Sequence, residues 1–383
     1  MKSPWLGEEH LIFRDMVRRF VEKELSPRVE EWEAGEEFPP WVFRRMGELG
    51  LLGLRYPEEY GGHNCGFMYS LVLMEELARC GAGGIGMAVG VHSEMATPPI
   101  FKFGTEEQKR RFLIPANRGE KIAALGITEP NAGSDVASLQ TRARRKGAGW
   151  IINGQKIFIT NGCHADFVLT LVRTDEGKGH RGMSLFVVEK GTPGFSVSRK
   201  LRKVGMHCSD TAELVFEDCE VPQENLVGEE GKGFYHIMWE FQGERLVGAA
   251  GALGLAQVAF ETALKYAQER VQFGRRLADF QVIRHKLADM ATELEATRQL
   301  MYYCAWLFEH GEYPVKEISM VKLKAAQVAF KIVDEALQIH GGYGYMMESL
   351  IQRYWRDIRL VRIGGGTDEI MKEIIAGELI PPG

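Results

Sequence analysis

The sequence predicts an α+β chain that is mainly helical, laid out as a helical part over 1–120, a β part over 121–230 and a second helical part over 231–383. Two changes of texture carry that expectation. Up to about Lys121 the apolar residues recur at helical spacing. From there to about Gly228 the chain breaks into short runs rich in β-branched and aromatic residues, punctuated by Gly, Asn and Asp. After Gly231 the helical period returns and holds almost to the end. Length agrees, because 383 residues exceed the ~100–200 of a usual domain and call for two or three cores.

In the first part, Leu11, Ile12, Met16, Val17, Phe20, Val21 and Leu25 fall on one face of a helix over 8–25, which Pro27 closes. Further helices are expected over 40–49, 67–80 and 105–117. The expected β runs are Ile122–Thr128, Trp150–Asn153, Gln155–Thr160, Phe167–Arg173, Ser184–Glu189 and Thr211–Phe216. Asn153-Gly154 reads as a hairpin turn between the second and third of these. Helices over 232–270, 277–310, 314–340 and 367–378 follow, separated by Pro314 and by Gly-rich turns at 341–344 and 364–366.

With 45% hydrophobic and 26% charged residues the composition is that of a soluble globular protein. A formal charge of −5 argues against a polyanion-binding surface, so nucleic acid is not an expected partner. The start, M-K-S-P-W-L-G-E-E-H, shows neither a secretion signal nor an Arg- and Ser-rich leader, and no window approaches the ~18 apolar residues of a membrane span. Membrane insertion is therefore not expected. The six cysteines are scattered without C-x-x-C spacing, which predicts no metal site, no disulfide framework, and reduced thiols in a cytoplasm.

The stretch most suggestive of a site is L-G-I-T-E-P-N-A-G-S-D-V from Leu125, followed by W-I-I-N-G-Q-K-I-F-I-T-N-G from Trp150. Backbone N–H groups near Gly133 and the hydroxyls of Thr128 and Ser134 could reach a polar planar ligand or a phosphate. An ordinary hairpin with polar turns accounts for the same residues. T-E-P-x-A-G-S-D with I-x-N-G-x-K-x-x-I-T-N, however, resembles the acyl-CoA dehydrogenase flavoproteins. The resemblance extends over essentially the whole chain, including L-R-Y-P-E-E-Y-G-G and R-K-L-R-K-V-G-M-H-C-S-D-T-A-E-L-V-F-E-D. It implies an acyl-CoA dehydrogenase-like fold with an N-terminal helical domain, a middle β-barrel-like domain and a C-terminal four-helix bundle.

The resemblance also implies FAD, contacted by Leu125, Gly126, Ile127, Thr128, Gly133 and Ser134 and by Phe158, Ile159 and Thr160, with Thr160 facing the flavin N5. Phe158 stands where many relatives carry Trp. Arg270 and Phe273 of E-R-V-Q-F-G-R, Gln281, and Gln338, Gly341 and Gly342 of Q-I-H-G-G-Y-G-Y match positions that reach the FAD of a neighbouring subunit. A homo-oligomer, a tetramer, follows from that. Thr367, Asp368 and Glu369 match polar neighbours of the flavin. On residue chemistry alone, Arg270 would be a solvated helix residue and the glycines a plain helix stop.

The activity implied is α,β-desaturation of an acyl-CoA. A base takes the proton next to the thioester carbonyl while a hydride leaves the adjacent carbon for the flavin. In the commonest family pattern the base is the Glu of a Tyr-Glu-Gly-Thr turn, but here the aligned residues are Gly364, Gly365, Gly366 and Thr367. A minority, including the long-chain and isovaleryl enzymes, places the base on a helix one residue before an Arg. W-E-F-Q-G-E-R-L-V-G puts Glu244 at that position, followed by Arg245. A carboxylate enclosed by apolar walls should have a raised pKa. Glu240, Glu261 and Glu269 read as solvated or ion-paired, and Asp368 and Glu369 are the alternatives for the base.

Substrate contacts implied are Ser134, Tyr235, Gln242 and Arg245 near the thioester, and His180 or Arg181 near the CoA. Gly365 and Gly366 would offer backbone N–H groups to the thioester oxygen. Electrons would pass to an electron-transfer flavoprotein. An oxidase or flavin monooxygenase on the same fold, or a non-catalytic acyl-CoA- or flavin-binding relative, are the alternatives.

Overall fold

The structure is a computed structural model that describes residues 4–380. Its first third is helical: α1 (Glu8–Phe20) running on through a π turn (Val21–Leu25), α2 (Val29–Ala34), α3 (Trp41–Glu48) and α4 (Phe67–Leu77). Then come α5 (Gly83–Gly90), a π turn (Val91–Ala96), α6 (Thr97–Phe103), α7 (Glu106–Gln108), a second π turn (Lys109–Leu113) and α8 (Ile114–Asn117). The expected helices are present; α2 and the α5–α6 stretch were not expected. G-A-G-G-I-G-M-A-V-G is poor in helix formers, but nearly all of it is buried, and burial outweighs intrinsic propensity. Pro98 and Pro99 sit in the first turn of α6, where a missing N–H leaves no bond unmade.

The middle part holds β1 (Ala123–Gly126), β2 (Arg142–Lys146), β3 (Gly149–Thr160), β4 (Phe167–Arg173), β5 (Met183–Glu189), β6 (Phe195–Lys200), β7 (Thr211–Pro222) and β8 (Leu226–Val227). They form a mixed sheet in the order β6-β7-β3-β2-β4-β5-β8, with β1 pairing parallel to β4. The expected hairpin at Asn153-Gly154 is absent, because β3 runs straight through both residues. The turn lies earlier, at Gly147, where Lys146 faces Gly149 across the β2–β3 pair. Gly154 instead marks a bulge against β7; its φ is +144°, and a Cβ there would stand 2.5 Å from Thr141 Oγ1. β2 and β6 escaped the sequence reading because nearly all their residues are exposed and no apolar alternation marks them.

A second register shift in β3, between Lys156 and Ile159, has a larger consequence. Trp150, Ile152 and Lys156 point inward on even positions; after the bulge Ile159 is the inward residue, and Phe158 is turned out with φ +62° and 65% exposure. Lys156 is left fully buried. Its Nζ donates to Glu129 Oε1 at 2.7 Å and to the Ile127 carbonyl at 3.0 Å, while Glu129 also accepts the N–H groups of Gln140 and Thr141.

The last part contains α9 (Gly233–Glu269), a short ribbon of β9 (Val271–Gln272) and β10 (Arg275–Arg276), α10 (Gln281–Glu309), α11 (Val315–His340), α12 (Leu350–Ile358) and α13 (Asp368–Leu379). The β9–β10 ribbon and α12 were not expected; the buried face of α12 mixes Ile351, Tyr354 and Ile358 with Arg353 and Asp357, which blurs the apolar period. Asp357 ties the three parts together by accepting the Gly83 N–H at 2.9 Å and the Met206 N–H. By length and composition α9 could cross a membrane, contrary to the expectation that no segment approaches that limit. Most of it is instead buried against α4, α5, α10 and α11. The six cysteines form no disulfide.

Removing one partner of a buried ion pair leaves the other charge uncompensated, at a cost of about 3 kcal/mol or more. Lys156→Met is therefore expected to lower the unfolding free energy by about 3 kcal/mol in urea denaturation; a loss below about 1 kcal/mol would show that this pair does not hold the Ile127–Glu129 turn.

Candidate active site

Around Glu244 most residues of α9 are buried, and the turn before α13 folds back onto the helix. A Cβ at Gly365 would stand 3.1 Å from Glu244 Oε1, so a side chain at 365 and the carboxyl of Glu244 point into the same place. Gly365 has φ +65°, a left-handed backbone that Gly adopts without strain. Lys322 of α11 completes the cluster, donating from Nζ to the Gly366 carbonyl. Burial pushes the Glu244 carboxyl up to about 7 against the pull of Arg245 and Lys322. Burial likewise pushes the Lys322 ammonium down to about 8, opposed by Asp368 and Glu244.

The three candidate bases are placed differently. Glu244 is half-buried, on the open stripe of α9. Asp368 is buried and bound to Arg362 at 2.6 Å, with Oδ1 unpartnered, and Glu369 is exposed. Thr367 caps α13, its hydroxyl accepting the Ile370 N–H at 3.3 Å. Arg245 is buried beside Glu244; its Nη1 lies 3.5 Å from Gln242 Oε1, and Gln242 in turn donates to the Met238 carbonyl.

Two residues of this cluster went unrecognised in the sequence. Lys322 shares a helix face with Ile318, Ala325 and Ala329, so a charge on an apolar stripe was the available signal. Glu240 was expected to be solvated or ion-paired; it is 2% exposed and neither carboxyl oxygen has a hydrogen-bond partner. The reason is tertiary, since α9 is enclosed at this level and burial drives the Glu240 pKa well above the carboxylate range. Glu261 does pair with Arg79, at 2.9 Å, and Glu269 is exposed.

Apart from Thr367, Asp368 and Glu369 at the start of α13, the residues expected to hold a flavin form two groups. Leu125 and Gly126 end β1, Ile127 and Thr128 follow, and the Ile157 N–H donates to the Thr128 carbonyl at 2.9 Å, which joins this turn to β3 beside Phe158, Ile159 and Thr160. Gly133 and Ser134 are exposed on the next turn, where a Cβ at Gly133 would meet nothing within 4 Å. An outward aromatic plane beside open space, with free hydroxyls and backbone groups around it, fits a planar ring. The second group, Arg270, Phe273, Gln281, Gln338, Gly341 and Gly342, gathers at the α9–α10 connection and the end of α11. Arg270 lies 5.6 Å from the Tyr343 ring centroid, and Phe273 is 93% exposed. Among the described residues, no hydrogen bond, ion pair or ring contact links this group to the first within the chain.

At the start of α9, a cleft of about 330 Å³ is lined by Arg181, Lys232 and Tyr235 with Thr174, Asp175 and Glu230. His180 Nε2 lies 3.2 Å from the Tyr235 hydroxyl, so His180 and Arg181, expected near the CoA, meet here with Tyr235, which the resemblance placed nearer the thioester. Lys232 was not foreseen; with Arg181 it makes the mouth suitable for an anionic group.

Residues 7–120, 124–219 and 231–380 match, respectively, the N-terminal, middle and C-terminal domains of acyl-CoA dehydrogenase. The mitochondrial isovaleryl-CoA dehydrogenase of Oryza sativa subsp. japonica is 42% identical over 96% of this chain and 90% of its own length. The short-chain specific acyl-CoA dehydrogenase of Clostridium acetobutylicum is 41% identical, covering 98% of each chain. The crystal structure of acyl-CoA dehydrogenase from Geobacillus kaustophilus superposes with a TM-score of 0.96 at 45% identity, over 99% of this chain and 100% of that one. With all three domains matched in order and the fold shared from end to end, the chain belongs to the acyl-CoA dehydrogenases, a family of flavin-dependent oxidoreductases.

Proposed function

We propose that this protein is an FAD-dependent acyl-CoA dehydrogenase that converts a long- or branched-chain acyl-CoA to the trans-2-enoyl-CoA, with Glu244 as base and an electron-transfer flavoprotein as acceptor. The observation that carries the reading is the convergence of Glu244 with position 365, where a carboxylate on either element would reach the same substrate carbon. FAD bound against Phe158 and Thr160 would supply the hydride acceptor. Glu244 takes the α-proton, and a carboxyl held near 7 by burial suits a base working at neutral pH. Gly365 and Gly366 present backbone N–H groups to the thioester oxygen, where negative charge develops as the proton leaves. Arg181 and Lys232 offer cations to the CoA phosphates. Free cysteines suit a reducing compartment such as the cytoplasm.

The acyl preference rests on the space beside the base. Phe241, Glu244, Gly248 and Gly251 form one incompletely covered stripe along a part of α9 whose other residues are nearly all buried. A Cβ at Gly248 would meet nothing within 4 Å, and the Met74 ε-methyl faces the Cβ positions of both Gly90 and Gly251. Met87 and Met95 are the partly exposed residues of the otherwise buried stretch from Gly83 to Ile100. Walls of glycine and methionine leave volume and adapt to varied acyl shapes, and glycines at 364 and 365 remove bulk next to the first acyl carbons.

Glu244→Gln keeps the shape of the side chain but cannot accept a proton, so anaerobic flavin bleaching by acyl-CoA should slow by about a thousandfold while bound yellow FAD is retained. Near-normal bleaching would dispose of the assignment. Slow reoxidation of the bleached wild type in air separates a dehydrogenase from an oxidase.

Because the base works as the carboxylate, the wild-type reduction rate is expected to fall as pH drops through about 7. A rate independent of pH from 5 to 9 would mean that another group, or another step, governs the reaction.

Gly248→Leu fills the open space, and leucine is intrinsically favoured over glycine in a helix, so folding should be preserved. Preference by kcat/KM should move toward short acyl chains by about tenfold, the scale of a few methylenes of lost room. An unchanged chain-length profile would place the acyl group elsewhere.

If Arg270, Phe273 and the Gln338–Gly342 loop meet the FAD of a partner subunit in a tetramer, cofactor and assembly are linked. Arg270→Ala should weaken both FAD retention and the oligomer on dilution. A variant that keeps full FAD in the native assembly would count against the shared site.

A further inference from the structure

Glu240 has no part in the chemistry above, yet it is a buried acid one turn before the proposed base. Side chains at i and i+4 share a helix face, so the buried Glu240 and the half-buried Glu244 are neighbours. The groups facing Glu240 are Arg55 and Tyr56 from the chain before α4, Glu94 from the π turn after α5, Tyr313 from the chain before α11, and Glu244 and Arg245 of α9 itself. Arg55 gives its Nη2 to Glu94 at 2.6 Å, and the Ser70 hydroxyl donates to the other Glu94 oxygen at 2.8 Å, so that cation is already matched. The Tyr56 hydroxyl is engaged with Thr97. Arg245 reaches Gln242 at 3.5 Å and leaves its Nε unpartnered, directing no N–H to either Glu240 oxygen. An ionised Glu240 would therefore be dehydrated, without a hydrogen bond, and next to a second carboxylate. A group so placed keeps its proton in preference to its charge.

We infer that Glu240 is a positioning residue of the active centre: it stays protonated so that the Glu240–Glu244 pair carries one negative charge, held on Glu244. The two carboxyls then titrate as a unit, and each ionisation depends on the state of the other. When Glu244 gains the substrate proton, the charge that opposes ionisation of Glu240 disappears. The inference rests on the reading of Glu244 as base, but its signature is spectroscopic and does not require turnover.

The test follows the protonated-carboxyl infrared band of the FAD-loaded protein over pH in the wild type, E240Q and E244Q, together with the pH profile of flavin reduction. The wild type should show a band component at neutral pH that persists after Glu244 ionises and that E240Q lacks. In E244Q the same component should be lost at a pH lower by about one unit or more, the reciprocal of the coupling. The wild-type reduction profile should carry an alkaline inflection that E240Q has lost. A wild type without the component, an E240Q protein that keeps it, or an ionisation unmoved in E244Q would each overturn the inference. Should E240Q fail to fold, Glu240→Met, of similar volume and apolar, serves the same comparison, with the yellow FAD spectrum reporting the native state. If E244Q reduces flavin normally while the band still shifts, the base assignment fails and the coupling stands.

Discussion

The exclusion of water from α9 is the constraint on which the rest of this protein depends. A 37-residue helix of apolar character is packed between the N-terminal helices and α10–α11, so every ionisable group on its enclosed face must be neutral, paired or shifted. Glu240, Glu244 and Arg245 all sit on that stretch. The same burial that makes the helix the backbone of the C-terminal part therefore raises the proposed base into the neutral range, with Lys322 and Arg245 limiting how far it rises.

Around this helix the site is assembled from pieces that are remote in the chain. The Gly364–Gly366 turn reaches Glu244 from near the C-terminus, and Arg181 with Tyr235 borders the cleft at the start of α9. The aromatic face at Phe158 is aimed outward by a bulge in β3. Lys156 anchors that bulge from below by binding Glu129 and the Ile127 carbonyl, so a buried ion pair shapes the surface proposed to face the flavin. Its energetic role is specificity of conformation as much as stability, because the desolvation of both ions offsets much of their attraction.

Space is arranged as deliberately as charge. The partly covered stripe of Phe241, Glu244, Gly248 and Gly251 gives the proposed base an apolar corridor without opening the core elsewhere. At the other end of the same helix, the half-buried Arg270 and the exposed Phe273 stand near the exposed Gln338, Gly341 and Gly342 at the end of α11. An aromatic ring that is 93% exposed is an unusual feature for a lone chain and supports the shared-site reading.

The sequence by itself determined the α–β–α order and three of the four C-terminal helices longer than a dozen residues or close to it at nearly their observed limits, and it pointed to Glu244 through the missing carboxylate at 365. These are local or pairwise signals: helical period, strand composition and one residue gained where another is lost. Tertiary structure decided what has no local signature. Asn153-Gly154 reads as a turn, yet contact with Thr141 and pairing with β7 keep it in one strand; α5 is poor in helix formers, yet burial makes it a helix. Glu240 and Lys322 look like ordinary solvated charges, and only the packing of α9 against α11 and the N-terminal helices takes them out of water, because desolvation is a property of the assembled surroundings and not of the residue.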